Sequence, residues 1–228
     1  MGAFSNDVAV PNVVGDTKIP KLFVHCLLLL IPVAVAYLYF DGQLFGYHAT
    51  FMSLGFMLCM AEGVWLASKA VVLPPGEERL GLLKMHMYIQ LAGIFCIAVG
   101  FYAIYHNKDV HGKAHFQTYH SWSGLLVLAG TLVSPVLGAL GFRHLGLIHV
   151  FPEHLHGVVK LVHRKSGAFT YFGSVFAVML GLATPVIHKG LITYVLMLLV
   201  SVAGGLIFNI YLVKQEEGYS LLNSVRAP

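Results

Sequence analysis

The chain has 228 residues, of which 57% are hydrophobic and only 11% charged, with a formal net charge of +4. A soluble domain carries about 25% charged residues, so with a mean hydropathy of +0.77 a water-soluble globule is excluded. The positive balance forms no basic stripe interleaved with aromatics, which excludes a nucleic-acid partner.

Residues 1–20 are polar and mixed in charge, without a basic start or an apolar core, and read as a tail rather than a cleavable signal. Beyond them the hydropathy pattern is simple. A hydrocarbon core takes about 20 apolar residues per helix, and runs of that length fall at about 22–40, 48–68, 87–105, 121–141, 167–187 and 190–213. None shows the sustained alternation of a membrane β-strand. The expected fold is all-α, a bundle of six transmembrane helices forming one domain over 1–228, with 214–228 as a C-terminal tail.

With six spans, both termini share a side with the connectors at 69–86 and 142–166. That side carries eleven of the Lys and Arg residues, and the other only Lys108, Lys113 and Lys189. Positive-inside bias then puts both termini in the cytosol. The expected location is the plasma membrane or an endomembrane, ER or vesicle. Cys26, Cys59 and Cys96 all fall inside apolar runs and read as small hydrophobes.

Thirteen histidines are unevenly spread along this frame. His48 opens the second run in "GYHATFMSLGF" and His86 the third in "KMHMYIQLAG". His120 opens the fourth in "YHSWSGLLVLAG" and His163 the fifth in "VHRKSGAFTYFG". Consecutive helices run in opposite directions, so His48 and His120 meet near the non-cytosolic face, and His86 and His163 near the cytosolic one. Two imidazoles on facing helices, without Cys, Asp or Glu at ligand spacing, fit zinc poorly because it takes four donors. They suit haem iron, whose porphyrin supplies the other four nitrogens.

A flat macrocycle also needs small residues beside its ligands. Gly55 and Gly93 follow His48 and His86 by seven, while Gly124 and Gly167 follow His120 and His163 by four. Both offsets return to the same helical face, so these four glycines are expected to clear the slots. Glu62 is the one acid deep inside a run, and an ionised carboxylate there is costly. It reads first as a helix–helix hydrogen-bonding group and second as a proton relay. Gln90 is expected to orient a haem substituent or a neighbouring helix.

The pieces "YHATFMSLGFM", "KMHMYIQLAG", "GKAHFQTYHSWSGLL" and "VHRKSGAFTYFG" resemble the cytochrome b561 family of transmembrane ascorbate-dependent reductases, over about residues 20–214. The resemblance implies two haem b groups in helices two to five, held by His48 with His120 and His86 with His163. It also implies cytosolic ascorbate as donor and monodehydroascorbate or a ferric chelate as acceptor. On its terms Lys84, two before His86, and Arg79 further back hold the ascorbate anion; because that donor is an anion, Arg164 and Lys165 on the other cytosolic connector are further candidates. Across the membrane, His106, His111 and His115 with Lys108 and Lys113 are the expected acceptor site. The other partners are the bilayer and, as an open alternative, a second copy in a homodimer.

His154 and His156 rival His163, which is preferred because it alone has the Ser-Gly phasing and sits at the apolar boundary. His25, His144, His149 and His188 read as interfacial. Two other functions stay open. A His-lined metal-ion transporter would need acids interleaved along the helices, and only Glu62 qualifies. A haem-bearing membrane anchor passing electrons to quinone or a partner enzyme would share the haem pairs.

Overall fold

The computed structural model describes residues 20–185 and 190–226, and among them there is no strand. Six long helices follow one another: α1 (Lys21–Tyr39), α2 (Leu44–Val72), α3 (Glu77–Val110), α4 (Tyr119–Gly141), α5 (His156–Leu182) and α6 (Leu191–Arg226). Five of them, α1, α2, α3, α4 and α6 up to Gly218, are long and apolar enough to cross a membrane. The chain is an integral, multi-pass membrane protein. Helix α5 has 27 residues, but its first eleven, "HGVVKLVHRKS", are largely polar, so its apolar part is shorter.

Hydropathy marks only the apolar middle of each helix. Helix α3 begins ten residues ahead of its apolar run, just after "LPPG", with Glu77 and Glu78 in its first turn, where carboxylates favour the positive end of the helix dipole. Helix α6 stays helical through Arg226, over most of the segment expected as a tail. The N-terminal tail lies outside the described residues except for Pro20.

Helix α2 is α-helical over Leu44–Ser53 and again over Ala61–Val72, with a π-helical stretch at Leu54–Met60 between them. A π turn bonds i to i+5 and so takes in one more residue than an α turn. This extra residue matters for the site below.

Helices α2 and α3 pack against each other along their lengths as an antiparallel hairpin, and α4 and α5 form a second one. Lipid offers no hydrophobic drive between helices, so close backbone approach carries the packing. At the α2–α3 crossing a Cβ on Gly55 would stand 2.6 Å from Ile97 Cγ1, and one on Gly93 would stand 3.0 Å from the Cys59 Cβ. At the α4–α5 crossing Gly130 lies against Thr170, and a Cβ on Gly173 would stand 3.1 Å from Val127. Helices α1 and α6 close over α2 and α5, where Leu28, Ile31, Met57, Tyr171, Val200 and Ile207 are fully buried. Met57 and Met60 are packing residues. Outside the α2–α5 contact at the π turn, the two hairpins are joined mainly where their histidines meet.

Candidate functional site

The histidines expected to pair do meet. The His48 and His120 rings lie 6.1 Å apart between centroids and 75° apart in plane. His86 and His163 repeat the arrangement at 6.2 Å and 77°. The first pair sits toward the end of the bundle that carries the 111–118 connector. The second sits toward the opposite end, called here the basic end because Arg79, Arg143 and Lys160 gather there. His163, rather than His154 or His156, is the α5 histidine that faces His86; the His156 Nε2 is bound to the Phe151 carbonyl at 2.9 Å.

Each of the four rings is held the same way from across its own hairpin. Nδ1 of His48 donates to the Gly100 carbonyl at 3.0 Å, and Nδ1 of His86 to Gly63 at 2.7 Å. Nδ1 of His120 donates to Ala177 at 2.8 Å, and Nδ1 of His163 to Ser134 at 2.9 Å. A carbonyl only accepts, so the proton sits on Nδ1 and the Nε2 lone pair is left to bind. That is the outer support by which proteins fix the tautomer and direction of a metal-ligating imidazole.

This pattern gives every helix of the two hairpins a double task. Helix α3 supplies His86 at one level and, fourteen residues on, the Gly100 carbonyl at the other. The intervals from His120 to Ser134 and from His163 to Ala177 are also fourteen. Fourteen residues fall about 40° short of four turns at 3.6 residues per turn, so ligand and carbonyl share one face. On α2 the interval from His48 to Gly63 is fifteen, and the π turn at Leu54–Met60 absorbs the surplus residue. Sequence reasoning in pure α-helical phase misses that turn, because nothing local in "LGFMLCM" announces it.

The repeated His-x-x-Ser-Gly motif has a concrete role. Ser123 Oγ donates to the His120 carbonyl and Ser166 Oγ to the His163 carbonyl, each at 3.0 Å. These serines brace the backbone of their own histidines. Thr118 and Ser121 form a capping box that starts α4 beside His120.

The expected role of the glycines needs correcting. Gly55 and Gly93 face each other at the helix crossing, so a side chain there would meet protein and not a slot; Gly167 faces Ser134 Oγ at 3.3 Å, and only Gly124 faces open space. The glycines that make room at the histidines stand on the partner helices. A Cβ on Gly181 would come within 2.9 Å of the His120 ring, and one on Gly138 equally near His163. Each lies one turn after the carbonyl that its histidine uses, and so clears the way to that carbonyl.

Two imidazoles bound head-on to one metal at about 2.0–2.1 Å would hold their ring centres roughly 6 Å apart, and both pairs match that. Each pair brings two nitrogen donors. Among the described residues no group of three or more His, Cys, Asp or Glu side chains is gathered as a metal site. The donor sets therefore fit a group that brings its own equatorial ligands, and a haem does.

Around the basic-end pair the charges converge. The Arg143, Arg79 and Arg164 charges all act on Lys160, and burial first, then these neighbours, hold its ammonium below the usual lysine range. Arg79 also donates to the Leu73 carbonyl at 3.1 Å, while Arg164 Nε is buried without a hydrogen-bond partner. Arg79 and Arg164 were expected here; Arg143 and Lys160 were not, because the 142–155 connector has to fold before they come together. Lys84 and Lys165 are exposed, and neither is among the charges that act on Lys160.

At the far end the loop histidines each find a local partner. His106 stacks on Tyr102, His111 Nδ1 donates to the Asn107 carbonyl at 2.7 Å, and His115 Nε2 donates to Asp109 at 2.8 Å while stacked on Tyr105 at 4.1 Å. Lys108 donates to the Ala114 carbonyl, and Lys113 is exposed. Phe116, beside His115, holds φ at +52°, which costs an L-residue roughly 1–2 kcal/mol.

Among the interfacial histidines, His25 departs from expectation. It bonds Glu62 across α1 and α2 at 2.6 Å, which gives Glu62 the interhelical hydrogen bond expected of it. Gln90 orients a neighbouring helix through the Met60 carbonyl at 3.4 Å. His188 lies outside the described residues.

The family profile described as eukaryotic cytochrome b561 matches residues 47–189. The chain belongs to the cytochrome b561 family. That family binds haem, in keeping with the two donor sets, and the matched stretch holds all four inward-facing histidines. Among curated proteins, Transmembrane reductase CYB561D2 of Bos taurus is 30% identical over 163 residues, 70% of this chain and 71% of that protein. Probable transmembrane reductase CYB561D1 of Homo sapiens is 29% identical over 140 residues, 61% of this chain and 59% of the relative; the Mus musculus protein of that name matches to the same extent.

Proposed function

We propose that this protein is a transmembrane oxidoreductase that carries single electrons from cytosolic ascorbate to monodehydroascorbate or a ferric chelate on the other side. The observation that carries this reading is the duplicated imidazole geometry, 6.1 and 6.2 Å between ring centroids, one pair toward each end of the bundle. Six spans with both termini in the cytosol belong to the same proposal, which takes the basic end as cytosolic.

His48 with His120, and His86 with His163, would each hold one haem b through Nε2. Held by two imidazoles, such a group would supply one-electron transfer rather than oxygen chemistry. The protein's own work is to keep those ligands still. The four carbonyls that accept from Nδ1 fix ring direction and tautomer, and the rings need not swing as charge changes. The fourteen-residue interval sets the two histidine levels about 21 Å apart along the helices. A cytosol that is electrically negative favours outward electron movement by about 2.3 kcal/mol per 100 mV.

Arg79, Arg143, Lys160 and Arg164 would bind the ascorbate anion beside the His86–His163 level, with Lys84 at the rim. Their mutual repulsion, already visible at Lys160, is relieved by an anion held among them. At the other end His106, His111 and His115, with Lys108 and Lys113, would receive the acceptor. The relatives' names as transmembrane reductases support the class of activity.

The test is purified protein in sealed vesicles, with ascorbate enclosed and a ferric chelate outside. The result expected is a narrow reduced low-spin α-band and reduction of the outer chelate. A colourless preparation from haem-replete cells overturns the reading. Reduction by quinol but not by ascorbate transfers it to the membrane-anchor alternative.

A further inference from the structure

Helix α1 takes no part in either histidine pair, yet it carries a polar contact into the apolar interior. His25 donates from Nδ1 to Glu62 Oε1 on α2 at 2.6 Å. Its ring lies against Trp65 at 3.7 Å between centroids, and Lys69 Nζ stands 4.3 Å from the centre of the same indole. Glu62, Trp65 and Lys69 are three and four residues apart and so form one stripe on α2, running inward from the basic end.

The other groups around Glu62 are uncharged or sit farther out. From α5 comes Tyr171, fully buried, with a hydroxyl that has no hydrogen-bond partner and that feels the Glu62 charge. Cys59 on α2 feels it as well. On α1, Lys21 lies near Lys69. Helix α3 packs here with the neutral Gln90, and on α6 Lys214 and Glu217 hold each other at 2.8 Å. Glu62 immediately precedes Gly63, whose carbonyl holds His86 at 2.7 Å. A carboxylate inside a membrane helix is a functional-site candidate by default, together with its partner.

We infer that Glu62 and His25 form a proton-loading site coupled to electron arrival at the His86–His163 level. The inference rests on the electron-transfer reading above and adds where the proton goes. An enediol donor of the ascorbate class, bound as its monoanion, gives up one electron and the proton of its remaining hydroxyl. The electron enters at the His86–His163 level, and the proton enters the Glu62–His25 pair, whose charge goes from −1 to 0. When the electron moves on to the far pair, the proton leaves through His25, whose side chain is 42% exposed and stands one turn from Lys21. The coupling is reciprocal: an electron there raises the pair's hold on a proton, and the proton raises the midpoint potential by the same free energy.

The experiment is a spectroelectrochemical titration of haem-loaded protein across pH. One of the two midpoints is expected to fall as pH rises, by up to about 59 mV for each tenfold drop in proton concentration at a one-electron couple, while the other stays nearly level. Glu62→Gln keeps a hydrogen-bonding side chain of the same shape and should flatten that slope with both haems retained. Glu62→Asp should restore part of it. Redox-difference infrared spectra of the unaltered protein should show a carboxyl protonation change that Glu62→Gln abolishes. Equal slopes in the two proteins overturn the inference. If Glu62→Gln does not assemble, the infrared spectrum of the unaltered protein decides, and absence of any carboxyl protonation change overturns it. Protein that binds no haem overturns the electron-transfer reading itself, which is a separate and recognisable result.

Discussion

The two ends of the bundle share one interior and differ in everything around it. At both, two imidazoles face each other at the same separation, each tied to a carbonyl of its hairpin partner. The basic end then adds Arg79, Arg143, Lys160 and Arg164, with Lys160 held below its ordinary range by burial and by the other three. It also has the Glu62–His25 pair one residue from a supporting carbonyl. At the far end the loop histidines are satisfied by a carbonyl, by Asp109 or by aromatic rings. On the proposed reading, equal interiors with unequal surroundings mean that ligation is built by the helices, while direction and partner choice are set by the ends.

The comparison breaks most severely if either interior is removed. Substituting His86 or His163 by Ala is expected to halve the haem content and leave the His48–His120 centre intact, and substituting His48 or His120 should do the converse. Haem-to-protein ratios and reduced spectra check this; loss of both centres from every variant would show that the two do not assemble separately.

Next in size is a pair of single-residue deletions. Removing Phe95 from the continuous α-helix α3 rotates His86 against Gly100 by about 100°, and at least one haem should be lost. Removing Leu58 from the π turn of α2 returns the His48–Gly63 interval to the fourteen of the other helices, and both haems should stay. If the two deletions prove equally damaging, the π turn does not carry the register.

A finer contrast comes from the partner glycines. Gly181→Ala presses on His120 and Gly138→Ala on His163. Changes to groups that support a metal ligand typically cost 10–100-fold in affinity. A loss near the lower end, confined to the matching centre and read by haem retention during dialysis, is the expected outcome.

The smallest expected effects separate the ends by charge. Neutralising Arg79 or Arg164 should slow reduction by ascorbate several-fold and weaken its salt dependence, while changes at His106, His111 or His115 leave that step alone. Because Lys160 sits below its usual range, its charge is lost at a lower pH than an ordinary lysine's. Ascorbate binding should therefore weaken on the alkaline side, and Lys160→Arg, which keeps its charge, should remove that fall. Reduction rates followed against pH in both proteins test the sign.

Topology made the core of this site readable in sequence. Four histidines at the starts of four consecutive apolar runs of alternating direction can meet only as His48 with His120 and His86 with His163; Lys84 and then Arg79 stood out by their place ahead of His86, and of the two only Arg79 acts on Lys160. What stayed hidden depends on contacts between distant segments. The supporting carbonyls belong to Gly63, Gly100, Ser134 and Ala177, which have no chemical signature of their own. The glycines beside the histidines were misread because phase along one helix says nothing about the helix opposite. His25 seemed interfacial until α1 was docked and set it against Glu62.

The central claim is two bis-imidazole centres in one chain, and the most direct measurement is haem stoichiometry combined with low-temperature electron paramagnetic resonance of the oxidised protein. Two haem b per chain, both low-spin with imidazole on each axial side, is the result expected. A single haem, or a high-spin signal from an iron with one histidine, would contradict it.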